Sequence, residues 1–369
     1  NLSGLSKNEI RSTYFSNMKP ILNDRAMFAA ATEEYRSPEE PSAGDTVKLK
    51  FRTAKYNVDR VEVVVNGIAY SMKKFMTNTN FDYYIAEFTL GAQRTEYYFH
   101  ALVGRTSIYY NQAGPYRELN PTYNFVINPG FKTPDWAKGA VIYQIYVDRF
   151  HNGDKSNDVV DNEYVYIGEP VHRITDWNEY PATMDVRNFY GGDLQGVLDK
   201  MDYLESLGID AIYFNPLFVS PSNHKYDIQD YDYIDPHFGV IVNDGGEPLP
   251  DNARSNDNAT KYKKRVTDYA NLEASNEFFA KLVEEAHRRN IKVIIDGVFN
   301  HCGSFNKWLD RERIYEGSEG FDKGAYVDKE SPYHDFFKFQ DDYAWPYNQS
   351  YLGWWGHDTL PKLNYEGSK

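Results

Sequence analysis

The stretch IKVIIDGVFNHCG, residues 291–303, decides how the second half of the chain folds. Residues 291–295 form an apolar, largely β-branched run, which is typical of a strand covered on both faces. The run ends at Asp296, and an amide and an imidazole follow at Asn300 and His301. Functional sites of parallel α/β proteins lie at the carboxyl ends of their strands. The stretch therefore predicts a buried strand that delivers polar side chains to a site.

The same arrangement occurs twice earlier in the chain. The apolar runs AVIYQIYV (140–147) and IDAIYFNPLF (209–218) are each followed by a segment rich in Asp, Asn and His. Two long polar excursions, residues 240–271 and 302–363, interrupt the pattern, and we expect the first of them to be exposed. Excursions of this length in a compact domain are usually functional.

Amphipathic helices lie between the predicted strands. Residues 193–208 place leucines, including Leu207, on one face, with Asp193 as the N-cap and Gly208 as the stop. Residues 275–290 form the second helix. Alternation of strand and helix predicts a parallel sheet with helical crossovers, either open or closed into a barrel.

The first third of the chain has a different pattern. VKLKFR, VEVVVNG, FDYYIAEFTL, TEYYFHALVG and SIYYN are short alternating runs separated by turn residues at near-regular spacing. This is typical of an antiparallel β-sandwich. The segment INPGFKTPDW that follows contains Pro129, Gly130 and Pro134, which predict a linker.

Composition narrows the class of protein. The 369 residues carry a net charge of −14, which argues against nucleic acid or an anionic membrane as partner and suits a neutral substrate or cations. No apolar run approaches the roughly 20 residues of a membrane span. Cys302 is the only cysteine, so no intrachain disulfide forms and a cytoplasmic location is favoured, with secretion or the cell surface as the alternative. Aromatic residues make up 16% of the chain, which fits core packing or contact with sugar rings.

The loop NGDKSND, residues 152–158, offers several oxygen ligands within a short span. They come from Asn152, Asp154, Asn157 and Asp158, and the Gly191 carbonyl and Asp193 carboxylate are further candidates. Ca²⁺ binds six to eight oxygens at about 2.3–2.6 Å. The alternative is a polar turn in which Asp193 acts only as a helix cap.

Four segments together resemble the α-amylase family, glycoside hydrolase family thirteen. They are DGVFNH (296–301), GIDAIYFNPLF (208–218), HKYDIQDYDYIDPHFG (224–239) and LPKLN (360–364), and they occur in the family's order. The lysine in LPKLN, the loop after the first strand and the preceding β-sandwich resemble the neopullulanase, cyclomaltodextrinase and maltogenic amylase branch. The resemblance covers roughly residues 45–369.

The resemblance implies a multidomain architecture. An N-terminal antiparallel β-sandwich, similar to a carbohydrate-binding module, precedes the first part of a (β/α)8 TIM barrel that has an excursion after its third strand. The implied boundaries are 1–128 for the sandwich, 129–138 for the linker, 139–301 for the barrel part, 302–363 for the excursion and 364–369 for the start of the next barrel segment. A homodimer through the N-terminal domain is a further expectation.

The resemblance also implies roles for individual residues. His301, Tyr226 and His224 would contact the sugar at the bond that is cut, with Tyr226 stacked under its ring. Asp296 would be a buried structural carboxylate, and Asn300 would hold the excursion, in many relatives through calcium. Trp355 is predicted to bind substrate, although packing of the excursion explains it equally well. Taken singly, Asp296 could be only a strand-end cap, and His301 only a core histidine.

For the loop at 152–158, the resemblance favours Ca²⁺, with Asn152, Asp154, Asn157, Asp158, Gly191 and Asp193 as the expected ligands. LPKLN departs from the α-amylases proper, which have an acidic residue near its end. Lys362 and Asn364 therefore put a second calcium site in doubt.

The family's retaining hydrolysis needs two carboxyl groups about 5 Å apart. Nothing in the chain matches the motifs of that pair, which we expect beyond Lys369. The parent is therefore predicted to be a glycosidase of α-1,4 links in cyclodextrins, pullulan or malto-oligosaccharides, and the chain alone to be inactive. The alternatives are a non-catalytic glucan-binding fragment, one half of a split enzyme, or a metal-dependent hydrolase with Asp296 and His301 as ligands.

Overall fold

The chain forms two units, and short strands with alternating burial build the first of them. The computed structural model describes residues 4–16, 21–341 and 350–367. The chain divides into two units, Asn1–Lys138 and Gly139–Lys369. Residues 342–349 of the predicted excursion and 368–369 of the predicted next barrel segment lie outside the described residues.

The first unit forms two antiparallel sheets. Its helix and strands are α1 (Lys7–Ser16), β1 (Arg36–Ser37), β2 (Thr46–Ala54), β3 (Arg60–Val65), β4 (Ile68–Ser71), β5 (Lys73–Thr77), β6 (Phe81–Thr89), β7 (Thr95–Val103), β8 (Thr106–Asn111), β9 (Gly114–Tyr116) and β10 (Phe125–Ile127). Single 3₁₀ turns lie at Asp24–Ala26, Pro121–Tyr123 and Asp135–Ala137. One sheet has the order β1-β2-β6-β5, and the other has β4-β3-β7-β8-β9 with β10 also paired to β7.

The core of this unit lies between the inner faces of the two sheets. Alternate residues of β2 and β7 are buried, as the period of two in a strand requires. Phe51 of β2 stacks on Phe99 of β7 with 4.8 Å between ring centroids, and Tyr97 stacks on Phe125 at 5.1 Å. The predicted β-sandwich is confirmed.

The segment predicted as a linker, residues 129–138, groups with the first unit. The backbone N–H of Thr133 donates to the Glu40 carboxylate at 2.9 Å, and the Lys138 ammonium lies 3.1 Å from the same carboxylate. Glu40 therefore fixes the course of this segment at two points.

The second unit alternates strands and helices. Its strands are β11 (Ile142–Ile145), β12 (Val165–Tyr166), β13 (Glu169–Pro170), β14 (His172–Arg173), β15 (Asn188–Phe189), β16 (Ala211–Phe214), β17 (Phe218–Val219), β18 (Asp230–Ile234) and β19 (Lys292–Ile295). Its helices are α2 (Leu194–Asp199), α3 (Met201–Ser206), α4 (Thr260–Thr267) and α5 (Tyr269–Arg288), with 3₁₀ turns at Val147–Arg149, Lys155–Asn157, Asp185–Arg187, His334–Phe336 and Trp354–Gly356. The strands β11, β16 and β19 form a parallel sheet in that order, which confirms the predicted parallel arrangement.

The helix predicted over 193–208 is divided in two. Asp193 caps α2 by accepting from the Gly196 N–H at 2.6 Å, and Gly208 ends the segment with φ +69°, as predicted. Lys200 leaves the helical conformation and separates α2 from α3. Leu207 then lies beyond the end of α3 and is 46% exposed, so its predicted inward position is wrong.

The sheet is less covered than predicted. Within the described residues, β11 and β19 are its outer strands, and each has a neighbouring strand on one side only. Val141 and Ile142 are about half exposed, at 53% and 51%. The prediction of a first strand over 140–147 that is buried on both faces is therefore wrong in length and in burial.

The helix predicted over residues 275–290 begins earlier than predicted. Asp268 caps α5 by accepting from the Ala270 N–H at 2.9 Å, so the helix starts at Tyr269. The region 240–271 is not merely an exposed excursion, because α4 lies within it and buries Tyr262 and Arg265. Among the described helices, none combines the length and apolarity that crossing a bilayer requires.

Candidate functional site

Residues that follow β16 and β19 meet at one cavity of about 540 Å³. Five of the residues predicted from the sequence line it: His224, Tyr226, Asp296, Asn300 and His301. The other lining residues are Tyr166, Ile167, Val186, Val298, Trp354, His357, Thr359 and Leu360. The carboxyl ends of neighbouring parallel strands explain why the segments converge.

His301 lines this cavity, and both nitrogens of its ring have hydrogen-bond partners in the protein. Its ring is 5% exposed, and Nε2 lies 2.9 Å from the Tyr226 carbonyl oxygen, to which it donates. Nδ1 lies 2.6 Å from the Asn300 amide nitrogen. Burial lowers the pKa of His301, so the imidazole is neutral at pH 7. Because both ring nitrogens have protein partners, a hydrogen bond to a sugar hydroxyl requires the exchange of one of them.

Asp296 is held by two tyrosine hydroxyls. Tyr213 donates to its Oδ2 at 2.8 Å and Tyr226 donates to the same atom at 3.0 Å. Burial, and then the neighbouring carboxylate, raise the pKa of Tyr226 to about 12, so its hydroxyl keeps its proton. Asp296 itself is only half-buried, which corrects the prediction of a buried carboxylate. It follows β19, the outer strand of the described sheet, so one of its sides is not covered by a further strand.

His224 and Tyr226 are joined by a local hydrogen bond. The Tyr226 backbone N–H donates to Nδ1 of His224 at 3.1 Å, and the two rings lie 6.0 Å apart. The rings therefore stand next to each other in the cavity wall. Their contact with sugar stays a prediction.

The tryptophan in the cavity wall is Trp354. Its ring stacks on the His301 imidazole at 4.8 Å, and the Trp355 ring stacks on Trp354 at 4.0 Å. Trp355 does not line the cavity and is 80% exposed, with φ +52° in the left-handed region. The structure therefore places Trp354, the neighbour of the predicted Trp355, at the site. Because Trp355 lies outside the cavity, any contact that it makes with sugar would lie outside the cavity too.

The six residues predicted as calcium ligands lie together at the start of α2. The Asp193 carboxylate accepts from the backbone N–H groups of Gly153 and Asp154 at 3.0 and 2.8 Å and from the Asn157 amide at 3.2 Å. The Asn152 amide donates to the Asp158 carboxylate at 2.7 Å. The loop is thus folded around the cap of α2.

Two oxygens of this loop have no internal partner. Among the described residues, Oδ1 of Asn152 and Oδ1 of Asn157 are buried without a hydrogen bond. Gly191 has φ +81°, and a Cβ atom there would lie 2.4 Å from Oδ1 of Asp158 and 2.6 Å from Nδ2 of Asn152. The loop therefore has orphaned acceptor oxygens and a close approach that only glycine permits.

Burial raises the pKa of both Asp158 and Asp193. The Arg173 guanidinium opposes this at Asp158, where it lies 2.5 Å from Oδ2. A bound cation would favour the ionised form of both carboxyls. Within the described residues, no group of three or more His, Cys, Asp or Glu side chains is placed to hold a metal, so a cation here would depend on amide and carbonyl oxygens. The same observation gives no support to Asp296 and His301 as metal ligands.

Several lining residues were not predicted. Tyr166 ends β12, a two-residue strand in a segment with no repeated pattern, and Ile167 follows it. His357, Thr359 and Leu360 come from the excursion, where the tryptophan pair and the LPKLN segment that begins at Leu360 are the nearest signals in the sequence. Their place at the cavity depends on long-range folding that spacing along the chain does not show.

Comparison with known proteins places both units in one family. The family described as “Alpha amylase, catalytic domain” matches residues 144–257 and 250–368, and “Alpha amylase, N-terminal ig-like domain” matches residues 37–128. A cyclomaltodextrinase of Thermoanaerobacter pseudethanolicus is 35% identical over 344 residues, which cover 88% of this chain and 46% of that protein. Neopullulanase 2 of Thermoactinomyces vulgaris is 32% identical over 333 residues, which cover 86% of this chain and 46% of that protein.

A solved structure agrees with these matches. The type III pullulan hydrolase from Thermococcus kodakarensis superimposes with a TM-score of 0.51 at 27% identity, covering 93% of this chain and 51% of that one. The chain thus spans about half the length of these three relatives. The predicted fold, a β-sandwich followed by the first part of a (β/α)8 barrel, is confirmed. Because the catalytic-domain family matches more than half of its residues, the chain belongs to the α-amylase family.

Proposed function

We propose that this chain carries the glucan-binding part of a retaining α-glucan hydrolase. The substrates would be cyclodextrins, pullulan or malto-oligosaccharides with α-1,4 links. The observation that carries the proposal is the single cavity at which Tyr226, His224, His301 and Trp354 meet beside Asp296. The names of the relatives, a cyclomaltodextrinase, a neopullulanase and a pullulan hydrolase, support this substrate class.

The cavity combines the two kinds of contact that sugar recognition requires. The rings of Tyr226 and Trp354 offer flat apolar faces for the faces of a pyranose. Asp296 and Asn300 offer polar atoms for hydroxyl groups, and the neutral His301 imidazole would do so by exchanging one of its two protein partners. In this proposal Tyr226 stacks on the ring, and the bond from its hydroxyl to Asp296 fixes the angle of its ring plane.

Removal of the Tyr226 ring tests the proposal. Tyr226→Ala is expected to weaken binding of maltoheptaose roughly tenfold, equivalent to about 1.4 kcal/mol, because the stacking face is lost. Tyr226→Phe keeps that face and is expected to keep most of the affinity. Titration calorimetry on the whole chain measures both values.

The matched control is Tyr203→Ala, which removes a tyrosine ring that is 49% exposed on α3, away from the cavity. It is expected to bind as the original chain does. Equal affinity of Tyr226→Ala and the original chain would contradict the assignment of this cavity. Thermal melts of each variant separate loss of binding from loss of fold.

We further propose that the loop at 152–158 binds Ca²⁺ together with Gly191 and Asp193. The support comes from the buried, unpaired Oδ1 atoms of Asn152 and Asn157 and from the two carboxyls whose pKa burial raises. The ion would add to the positive charge that Arg173 places at Asp158 and would fix the loop against α2. Asp158 and Asp193 would then be ionised, and the two amide oxygens would face the cation.

Calcium is expected to raise the melting temperature of the chain. At a hundredfold excess over its Kd the stabilisation is about 2.7 kcal/mol, or roughly 5–10 °C for a unit of this size. Asn152→Ala removes one orphaned oxygen and is expected to abolish most of this shift. Asn178→Ala, an asparagine in an exposed turn outside the loop, is the control. An equal shift in Asn152→Ala and the original chain, measured with and without chelator, would show that the ion binds elsewhere.

The homodimer and the cytoplasmic location stay predictions. Sedimentation of the purified chain measures the first, and cell fractionation of its source measures the second.

A further inference from the structure

Lys225 stands between the two ring residues of the cavity wall, His224 and Tyr226. Unlike them it does not line the cavity, and its side chain is only 1% exposed. Its backbone has φ +63°, in the left-handed region that a lysine rarely adopts. Strain of this kind persists only where the surroundings hold it.

The Lys225 ammonium is held by buried partners. It lies 2.7 Å from Oδ2 of Asp235, which is fully buried, and donates to the Ser220 carbonyl at 2.9 Å. The ring of Phe238 lies 4.7 Å from the same nitrogen. An unpaired charge at such a position is strongly unfavourable, so lysine and aspartate stabilise the fold only as a pair.

The pair continues into a chain of buried charges. Oδ1 of Asp235 lies 2.8 Å from His237 Nδ1, and His237 Nε2 lies 2.7 Å from Oε1 of Glu163. Although burial opposes it, the two carboxylates raise the pKa of His237, so the ring is protonated between them. Arg265 lies 2.9 Å from Oε2 of Glu163 and donates to the backbone carbonyl of Asp158 at 2.9 Å. The network thus runs from the cavity wall to the loop at 152–158.

We propose that Lys225 is a positioning residue for the cavity: its buried ion pair with Asp235 holds the left-handed turn that sets His224 and Tyr226 in the wall. The expected effect on glucan binding rests on the proposed function, whereas the role of Lys225 in holding the turn does not. Without the pair, the backbone at Lys225 relaxes towards the ordinary region. The bond from the Tyr226 N–H to His224 Nδ1 is then lost.

A second buried pair in the same unit provides a matched control. The Lys307 ammonium lies 2.7 Å from Oδ1 of Asp230, which is fully buried, and its side chain is 12% exposed. Neither residue lines the cavity. Loss of this pair affects stability in the way that loss of any buried ion pair does, with no direct route to the cavity wall.

The test compares two charge-neutral double variants in the whole chain. They are Lys225→Met with Asp235→Asn, and Lys307→Met with Asp230→Asn. Each removes one cation and one anion together. His237 keeps Glu163 as its partner, and Asp232, the second carboxylate at Lys307, is 66% exposed to solvent. The first readout is the tautomer of His224, followed by ¹H–¹⁵N spectra of chain labelled in histidine and assigned with His224→Gln. In the original chain Nδ1 of His224 accepts from the Tyr226 N–H, while the Ser222 hydroxyl, also 3.1 Å from Nδ1, donates to Asp227, so the Nε2–H tautomer is expected. It should become averaged in the Lys225 variant and persist in the Lys307 variant.

The second readout is the affinity for maltoheptaose. We expect it to fall at least tenfold in the Lys225 variant and to stay within twofold in the Lys307 variant. If the Lys225 variant does not fold, Lys225→Gln replaces it, because glutamine keeps a donor for Asp235. An unchanged His224 tautomer in the folded Lys225 variant, or equal changes in both double variants, would overturn the proposal. If the original chain binds no maltoheptaose, the proposed function fails, and the histidine spectrum alone decides the role of Lys225.

Discussion

Maltoheptaose and β-cyclodextrin incubated with the 369-residue chain are expected to remain uncut. Retaining hydrolysis needs an acid and a nucleophile, two carboxyl groups about 5 Å apart. Among the described residues that line the cavity, Asp296 is the one carboxylate. The hydroxyls of Tyr213 and Tyr226 both donate to its Oδ2 and fix its orientation. A cavity with one carboxyl group can bind a glucan without cleaving it.

The assay follows reducing ends released by the purified chain over many hours, beside a complete cyclomaltodextrinase as the positive control. Binding of maltoheptaose without release identifies a glucan-binding fragment. Release that is abolished by Asp296→Asn would contradict the prediction and make Asp296 a catalytic residue. Release that survives this change would point to a contaminating enzyme, because no other carboxylate of the described residues faces the cavity.

The parts of the fold that could be predicted are those set by short-range chemistry. Alternation in strands such as β2 reports directly which side chains face the core, and the β-sandwich follows from it. Asp193 was predicted as a cap because a carboxylate before a helical pattern has one favourable use, and it accepts from the Gly196 N–H as expected. The place of Asp296 and Tyr226 at the site could be predicted for a similar reason. Polar side chains that follow a buried strand are excluded from the core, so they face a cavity or solvent.

Long-range contacts explain what could not be predicted. Trp354 and Trp355 are adjacent and chemically identical, and only the turn at Trp355, with φ +52°, decides which ring reaches the cavity. The two hydroxyls that hold Asp296 come from Tyr213 and Tyr226, in other segments of the chain, which its own sequence does not encode. Lys225, Asp235 and His237 lie in the segment 224–239 that resembles the family, but their pairing depends on how that segment folds back on itself and on Glu163 and Arg265 from other segments, which spacing along the chain does not show.

Asp310→Asn is expected to stabilise the chain at alkaline pH by an amount that falls away in acid. Asp310 is fully buried, its Oδ1 accepts from the Tyr315 N–H at 3.1 Å, and its Oδ2 has no hydrogen-bond partner among the described residues. Burial raises the pKa of Asp310 from 3.8 to about 7. Between these values the folded state keeps a proton that the unfolded state has lost, so raising the pH favours unfolding.

The size of the effect follows from the two pKa values. Their difference corresponds to roughly 4 kcal/mol, which the original chain loses as the pH rises from about 4 to above 7. Asparagine does not titrate, keeps an oxygen for the Tyr315 N–H, and tolerates the left-handed φ of +51° at this position. At pH 8 we therefore expect the variant to be more stable by about 2–4 kcal/mol, and at pH 4 to show little or none of this gain.

Thermal melts at pH 4, 6 and 8 measure this difference, because each kcal/mol shifts the melting temperature by roughly 2–4 °C in a unit of this size. Asp322→Asn, at an exposed site in the same excursion, is the control and is expected to leave the melting temperature unchanged at every pH. Destabilisation by Asp310→Asn of equal size at all three pH values would mean that the carboxyl is ionised in the folded chain and that a cation balances it. A gain that grows with pH in Asp310→Asn alone establishes Asp310 as a buried acid that the chain keeps at a cost to its stability.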